Sequence, residues 1–462
     1  MNGKYEKLGE HEIKTMSLKS PALSNPISLK ESARASNAET GQPTGGIWEG
    51  LFLYENIESP YISGYVTVNE AQNVLYHQSI IGQETLMLEY RTPGVDSGLV
   101  KHELAIYKVG NRFFSTPNDR VQSYRLHFVS KAFLDDMQLK VHKSYTGNIS
   151  DTVLKIWKEF FPNTPTPNIN VSNTKNKHRF IIPHWTPFQA IDWLAERAVP
   201  TSNSNTPNFI FYADSDGYHF VPLSELNSSD VVQEYINGDV SSRDTPNSPP
   251  ELFSKYTNTL EPIEFIKTAD KMEDIANGVF ASELWVHDIR DKTFINKQNY
   301  SYQRDFTGAL EKYPIISASD ITGLSFKPKT NILFYPTHRG EHDQIEDNNL
   351  SQEWLLQRRS LMEQRNSQQI KICVWGDSRR RVGDIVDFKT PSIEPIKSTD
   401  DWHDKNVSGK YMIKEIRHTF TSEEHKMWLT LSRDSFCQPI PDQAEFKGGS
   451  KEQQSPNRFL QQ

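Results

Sequence analysis

From Ile47 onward the chain is written in short runs of β-branched and aromatic residues, punctuated by turn residues. IWEGLFLY, YISGYVTVNEA, TLMLEYR and KHELAIYKVG follow one another, with Asn56, Pro60, Gly64, Gly82, Pro93 and Gly94 between or within them. Such side chains lose rotamer freedom against a preceding helical turn but pack well on a pleated surface. Recurrence at about 8–12 residues is the spacing of a sandwich or barrel. With SYRLHFVSKAF as a further strand, residues 47–132 are predicted to form a first β-barrel-like domain.

The texture changes after that. Ser150 or Asp151 can cap a helix in which Val153, Ile156, Trp157, Phe160 and Phe161 share one face, and Pro162 stops it. Thr186 and Pro187 open a second helix, with Gln189 placed for a capping box. Its apolar side is Phe188, Ile191, Leu194, Ala195 and Val199, and Pro200 ends it. NFIFYADSDGYHFVP then reads as a hairpin, with Phe209 and Phe211 alternating before an Asp-Ser-Asp-Gly turn and Tyr218 and Phe220 after it. Residues 133–226 are therefore predicted as an α+β insertion, and the aromatic stripes on it as core packing.

Residues 227–257 read as a linker. β character returns in PIEFIKTAD, GVFASELWVHDI, TFINKQNYSYQRDF, KICVWGD, RVGDIVDFK, GKYMIKEIRHTF and KMWLTLSRD. This predicts a second β-barrel-like domain over 258–437, with a helical insertion at about 338–366. Residues 1–46, polar and without a sustained period, read as a flexible N-terminal arm, and 438–462 as a C-terminal tail. The expected fold class is α+β and multi-domain, with two β-barrel-like domains and an α+β insertion between them.

Composition narrows the function. Aromatics make up 11% of 462 residues, which argues for a folded chain. A net charge of −8 argues against a general affinity for nucleic acid or an anionic membrane. Two cysteines do not make a disulfide framework, and Cys373, within IKICVW, reads as a buried small hydrophobe. Neither a signal peptide nor a membrane-spanning run is expected. The sequons at Asn148, Asn170 and Asn406 read as chance matches.

Candidate chemistry is sparse. His338-Arg339-Gly340-Glu341-His342 spells H-x-x-E-H, which holds zinc when both histidines lie on one face of a helix. Pro336 before it and Gly340 inside it favour a loop. The carboxylate pairs Asp135-Asp136, Asp214/Asp216 and Asp400-Asp401 read as turn residues before they read as acid and base. No nucleophile elbow, C-x-x-C or P-loop is present. The run Ser378-Arg379-Arg380-Arg381 reads as a solvated turn or a contact to an acidic partner. No catalytic residue, metal ligand or cofactor is assigned.

Four segments resemble the baseplate central hub family of contractile-tailed phages, which is related to the hub part of type VI secretion spike proteins. They are ENIESPYISGYVTVNEA (55–71), the run from SDTVLKIW to NFIFYADSDGYHFVPLSEL (150–226), NGVFASELWVHDIRDKTFINKQNYSY (277–302), and RVGDIVDFKTP with SGKYMIKEIRHTFTSEEHKMWLTLSRDSF (381–436). The resemblance implies two tube domains per subunit and a non-enzymatic homotrimer closing into a pseudo-sixfold ring in the virion's tail baseplate. Its implied partners are a tail spike protein on a separate chain, a tail tube protein and neighbouring baseplate proteins. DNA would pass transiently without specific binding, assembly would occur in the host bacterial cytoplasm, and no membrane insertion is implied. The family does not place the 46-residue arm or the acidic stretch near Asp400. Three rivals remain beside it: the hub component of another contractile injection system, a zinc peptidase or wall hydrolase, and a glycan-binding module using the aromatic hairpin as its platform.

Overall fold

The computed structural model describes residues 8–20, 25–30, 47–70, 74–77, 80–93, 98–114, 121–162, 169–175, 177–237, 257–288, 292–305, 307–314, 332–337, 354–392 and 403–438. The H-x-x-E-H run, Asp400-Asp401 and the tail beyond 438 lie outside them.

The first β module contains β1 (Glu12–Lys19), β2 (Ile27–Ser28), β3 (Trp48–Asn56), β4 (Ser63–Glu70), β5 (Thr85–Arg91), β6 (Val100–Phe114) and β7 (Gln122–Ser130). Period-two alternation sends Leu51, Leu53, Val66, Val68, Leu86, Leu88, Leu126 and Phe128 to one face, where they form its core. Gly64 is required where β3 and β4 meet: a Cβ there would stand 2.1 Å from the Phe52 carbonyl oxygen.

β1 is an ordered contact within the polar N-terminal arm. It pairs antiparallel with β5, and Met16 and Leu18 enter the first core. The alternation Thr15, Met16, Ser17, Leu18 is the signal, and the Ser-, Asn- and Pro-rich flanks obscure it.

The insertion contributes β8 (Val141–Gly147), β9 (Ile169–Val171), β10 (His178–Trp185), β11 (Phe209–Asp214) and β12 (Gly217–Pro222). Helices Ile149–Phe160 and Pro187–Arg197 pack on them. Thr186 caps the second helix as expected: its hydroxyl accepts from the Gln189 N–H, and the Gln189 side chain accepts from the Thr186 N–H. The first helix starts differently. Its N-cap is Asn148, without a side-chain bond, and Ser150 and Asp151 lie inside it.

Hairpin β11–β12 is buried on both faces. Phe209, Phe211, Tyr218 and Phe220 face the helices, whereas Ile210, Tyr212 and Val221 enter the core of the second β module. Its aromatics are core residues, which removes the exposed platform a glycan-binding module needs.

The second module holds β13 (Val231–Ile236), β14 (Glu264–Lys267), β15 (Ala281–Asp288), β16 (Thr293–Ser301), β17 (Tyr313–Pro314), β18 (Ile332–Thr337), β19 (Gln368–Trp375), β20 (Ile385–Lys389), β21 (Gly409–Phe420), β22 (His425–Arg433) and β23 (Ser435–Phe436). β13 corrects the reading of 227–257 as linker throughout, because it runs parallel to β20. Within the expected helical insertion, the described helix is Leu355–Gln364.

The chain is mostly β with few helices, an α+β multi-domain fold, but the two modules are not separate closed barrels. β21 pairs with β3, so both enter one 13-stranded sheet running β14-β19-β22-β21-β3-β4-β7-β6-β5-β1-β2, with β20 also on β21 and β13 on β20. β15, β16 and β18 form a smaller sheet. Among the described residues the main sheet stays open at both ends.

Candidate functional site

The hairpin turn that carries Asp214 and Asp216 is the centre of a polar junction between all three parts. Asp214 shapes the turn, accepting from the N–H groups of Asp216 at 2.8 Å and Gly217 at 3.1 Å. Gly217 has φ +141°, a region that favours glycine. The tip then reaches into the seam. Ser215 donates to the Glu55 carboxyl on β3 at 2.5 Å and lies 3.4 Å from His102 Nε2 on β6. Asp216 accepts from Arg381 of the second module at 2.9 Å.

Glu55 is 1% exposed. Burial, and then the nearby Asp214, push its carboxyl up to about 8, with Arg381 and the Ser215 hydroxyl pulling the other way. At neutral pH it is mostly protonated. Burial, and then Arg381, lower His102 to about 4, so its imidazole is neutral.

Ser215, His102 and Glu55 carry the letters of a hydrolytic triad without its order. A triad sets histidine between nucleophile and carboxylate, which orients the imidazole. Here serine stands between the other two, and the acid is mostly uncharged. The adjoining cavity of about 30 Å³, lined by Ile62, His102, Ser130, Ala213 and Ser215, has room for a water or two. The arrangement is suited to holding three elements together.

The arginine run is turned inward. Arg379 grips Asp377 at 2.8 Å and 3.0 Å, and Arg380, 5% exposed, approaches the same carboxylate at 3.4 Å. Burial pushes the Asp377 carboxyl up, but Arg379 and Arg380 outweigh it and hold the group below its ordinary value. Arg381 takes Asp216. The expected contact to an acidic partner exists, and the acids belong to the same chain. Thr92 and Ser378 exchange N–H to hydroxyl bonds of 3.0 Å across the seam.

A second group was not legible in the sequence. His418 on β21 and His425 on β22 meet at 3.0 Å between Nδ1 and Nε2, and His425 stacks on Phe420 with ring centres 3.9 Å apart. His11 and Tyr90 complete the cluster edge-on. Burial, then Arg381 and His102, lower His418 to about 3, and His425 lies well below its ordinary value. The rings are neutral and act as flat packing units.

The other weighed residues take structural places. Asp135 and Asp136 end the helix Lys131–Asp136 and begin the turn that follows it, their carbonyls accepting from the Gln138 and Leu139 N–H groups. Asp136 accepts from the Phe188 N–H at 2.7 Å. Cys373 is buried. Among the described residues no three metal-binding side chains gather, and no helix is long and apolar enough to cross a membrane.

The edges of the fold contrast with the junction. On terminal strand β14, Phe265 and Ile266 are 50% and 49% exposed. A groove of about 580 Å³ lies beside them, lined by Leu260, Pro262, Ile263, Pro391 and Val407. Edge strand β18 exposes Ile332 and Phe334. Open apolar edges are where chains pair.

No family model matches the chain, and no curated protein matches it by sequence. Its neighbours among solved structures are tail, baseplate and secretion-system proteins. The chain is similar to a tail protein from Neisseria meningitidis MC58, at 12% identity and TM-score 0.49 over 92% of this chain and 99% of that one. It is similar to the 43 kDa tail protein of prophage MuSo2 from Shewanella oneidensis, at 9% identity and TM-score 0.49 over 91% and 99%. An E. coli component of the type VI secretion system aligns at 8% identity and TM-score 0.40 over 90% and 77%.

Proposed function

We propose that this chain is a structural, non-catalytic subunit of the central hub of a contractile-tail baseplate. Three copies close into a pseudo-sixfold ring that joins the tail tube to the central spike and gives passage to DNA during ejection. The ring belongs to the virion's baseplate, is assembled in the host cytoplasm, and does not insert into a membrane.

The observation that carries this reading is where the four hub-like segments fall. Residues 55–71 end β3 and supply β4, 150–226 supply the two insertion helices and the double-faced hairpin, 277–302 supply β15 and β16, and 381–436 supply β20 to β22. Of these, β3, β4 and β20 to β22 continue one sheet through both modules, hairpin β11–β12 packs between the insertion and the second module, and β15 and β16 belong to the smaller sheet. Among the described residues the sheet is open at its ends, which suits a subunit whose neighbours complete it.

Light scattering over a concentration series tests the reading. One chain is 53.2 kDa, and three weigh about 160 kDa. The proposal expects the trimer mass, alone or on adding a spike protein. A mass of one chain under both conditions contradicts it.

A further inference from the structure

The outward face of the main sheet carries a belt of cations and aromatic rings that crosses both β modules. Lys371 on β19 lies over the Trp428 ring on β22 at 5.3 Å, and Arg417 on β21 lies over Phe52 on β3 at 5.2 Å. Phe52 stacks on Tyr65 of β4 at 4.6 Å, and Arg125 of β7 lies over the same tyrosine at 4.8 Å. His127 of β7 flanks Tyr65, and Lys108 of β6 is its register partner. On the same face β6 carries exposed rings: Tyr107, 6.2 Å from the His127 ring, and Phe113, the register partner of Ser123, are 52% and 57% exposed.

The belt is positive although the chain is negative. Lys371 and Lys426 pair with Glu264 and Glu424, and the Glu415 carboxylate accepts from Asn56 and Thr430. Among the described residues Arg125 and Arg417 make no ion pair, and Arg417 Nε is buried without a hydrogen-bond partner. His127 is lowered by burial and then by Lys108 and Arg125, a sign of the local field. A guanidinium lying flat on a ring keeps its in-plane N–H groups for an anion. Arg417 and Arg125 stand three strand spacings apart, about 14 Å.

We propose that this face is a sequence-independent track for nucleic acid, in which Lys108, Arg125 and Arg417 contact backbone phosphates and the exposed rings of β6 stack bases. A cationic stripe beside exposed aromatics fits a polyanion with splayed bases better than an acidic peptide, which has no use for Tyr107 and Phe113. The track goes beyond the hub reading and does not depend on it. It also explains how a chain of net charge −8 can touch nucleic acid: the global count hides a local belt.

The test is fluorescence anisotropy with a labelled oligothymidylate of about 20 nucleotides, longer than one site. Salt is raised from about 50 to 200 mM, over which three phosphate contacts give a log–log slope of about −2. The double variant Arg125→Gln, Arg417→Gln should lose about tenfold in affinity and more than half of the slope. Lys108→Glu, on an exposed position, should weaken binding with an unchanged unfolding midpoint, and Phe113→Ala should weaken it at constant slope. Absence of binding at low salt, or binding that ignores these substitutions, overturns the proposal. So does competition by polyglutamate as effective as by unlabelled oligonucleotide at matched charge, which reassigns the face to an acidic protein. Oligomeric mass is read separately, so failure here leaves the hub reading standing.

Discussion

The three-way seam and the β14 edge are built from opposite materials. At the seam, Glu55, His102, Ser215, Arg381, Asp377 and the His418–His425 pair lie inside the protein, and each contacts a polar group of the same chain, although Glu55 Oε2, Arg381 Nε, His418 Nε2 and His425 Nδ1 are buried without a hydrogen-bond partner. At β14, Phe265 and Ile266 lie outside and are answered by nothing described. Buried polar networks require a single geometry, because each mismatch leaves a desolvated group without a partner. Apolar edges are tolerant and wait for a surface. The difference teaches that the parts of the chain are tied together by its own groups, whereas its apolar edges, on the hub proposal, are left for neighbouring copies.

The comparison breaks most visibly at Gly376. A Cβ there would stand 1.9 Å from His425 Nδ1, and that ring is already stacked on Phe420. Gly376→Ala should cost about 3 kcal/mol, read as a loss of urea midpoint, and should loosen the seam rather than the edge.

Glu55 sharpens it through pH. Its folded value, about 8, lies above its unfolded value, so the stability it contributes is full below the ordinary carboxylate range and lost as pH rises towards 8. Glu55→Gln keeps the shape and removes the titration. The variant should match the native chain near pH 5 and exceed it by a few kcal/mol at pH 8 in thermal or urea unfolding. The buried histidines have the opposite sign. His102 and His418 are lowered to about 4 and 3, so their contribution is present above pH 6.5 and is lost as the solution is acidified towards those values. The unfolding midpoint should therefore peak in mildly acidic solution, and the peak should broaden on its alkaline side in Glu55→Gln.

The insertion was the most legible part of the sequence, because its signals are local. Thr186-Pro187 with Gln189 states a helix start within four residues, and Asp-Ser-Asp-Gly states a turn. β1 and β13 were missed because each is a short alternating stretch amid turn-forming residues, and its partner strand lies far along the chain. The junction was illegible for the same reason: Ser215 and Glu55 are 160 residues apart. The arginine run and the aspartates of the turn were both noticed, yet nothing local says that Arg381 reaches Asp216. The merging of two β modules into one sheet through β3 and β21 is likewise a long-range pairing that periodicity within each strand does not encode.

The smallest effect on the isolated chain should come from the edge. Phe265→Lys with Ile266→Lys alters exposed side chains, so the unfolding midpoint of the subunit should move by no more than about 0.5 kcal/mol. Its assembly should be lost, because a charged edge does not pair. Equal loss of stability and assembly would place these residues in the subunit's own core instead.

The most direct test of the hub account is the shape of the assembled particle, seen by electron microscopy of the purified chain with and without a spike protein. The account predicts closed rings of three copies with pseudo-sixfold class averages and an open centre. Compact single copies or open chains in both preparations would contradict it.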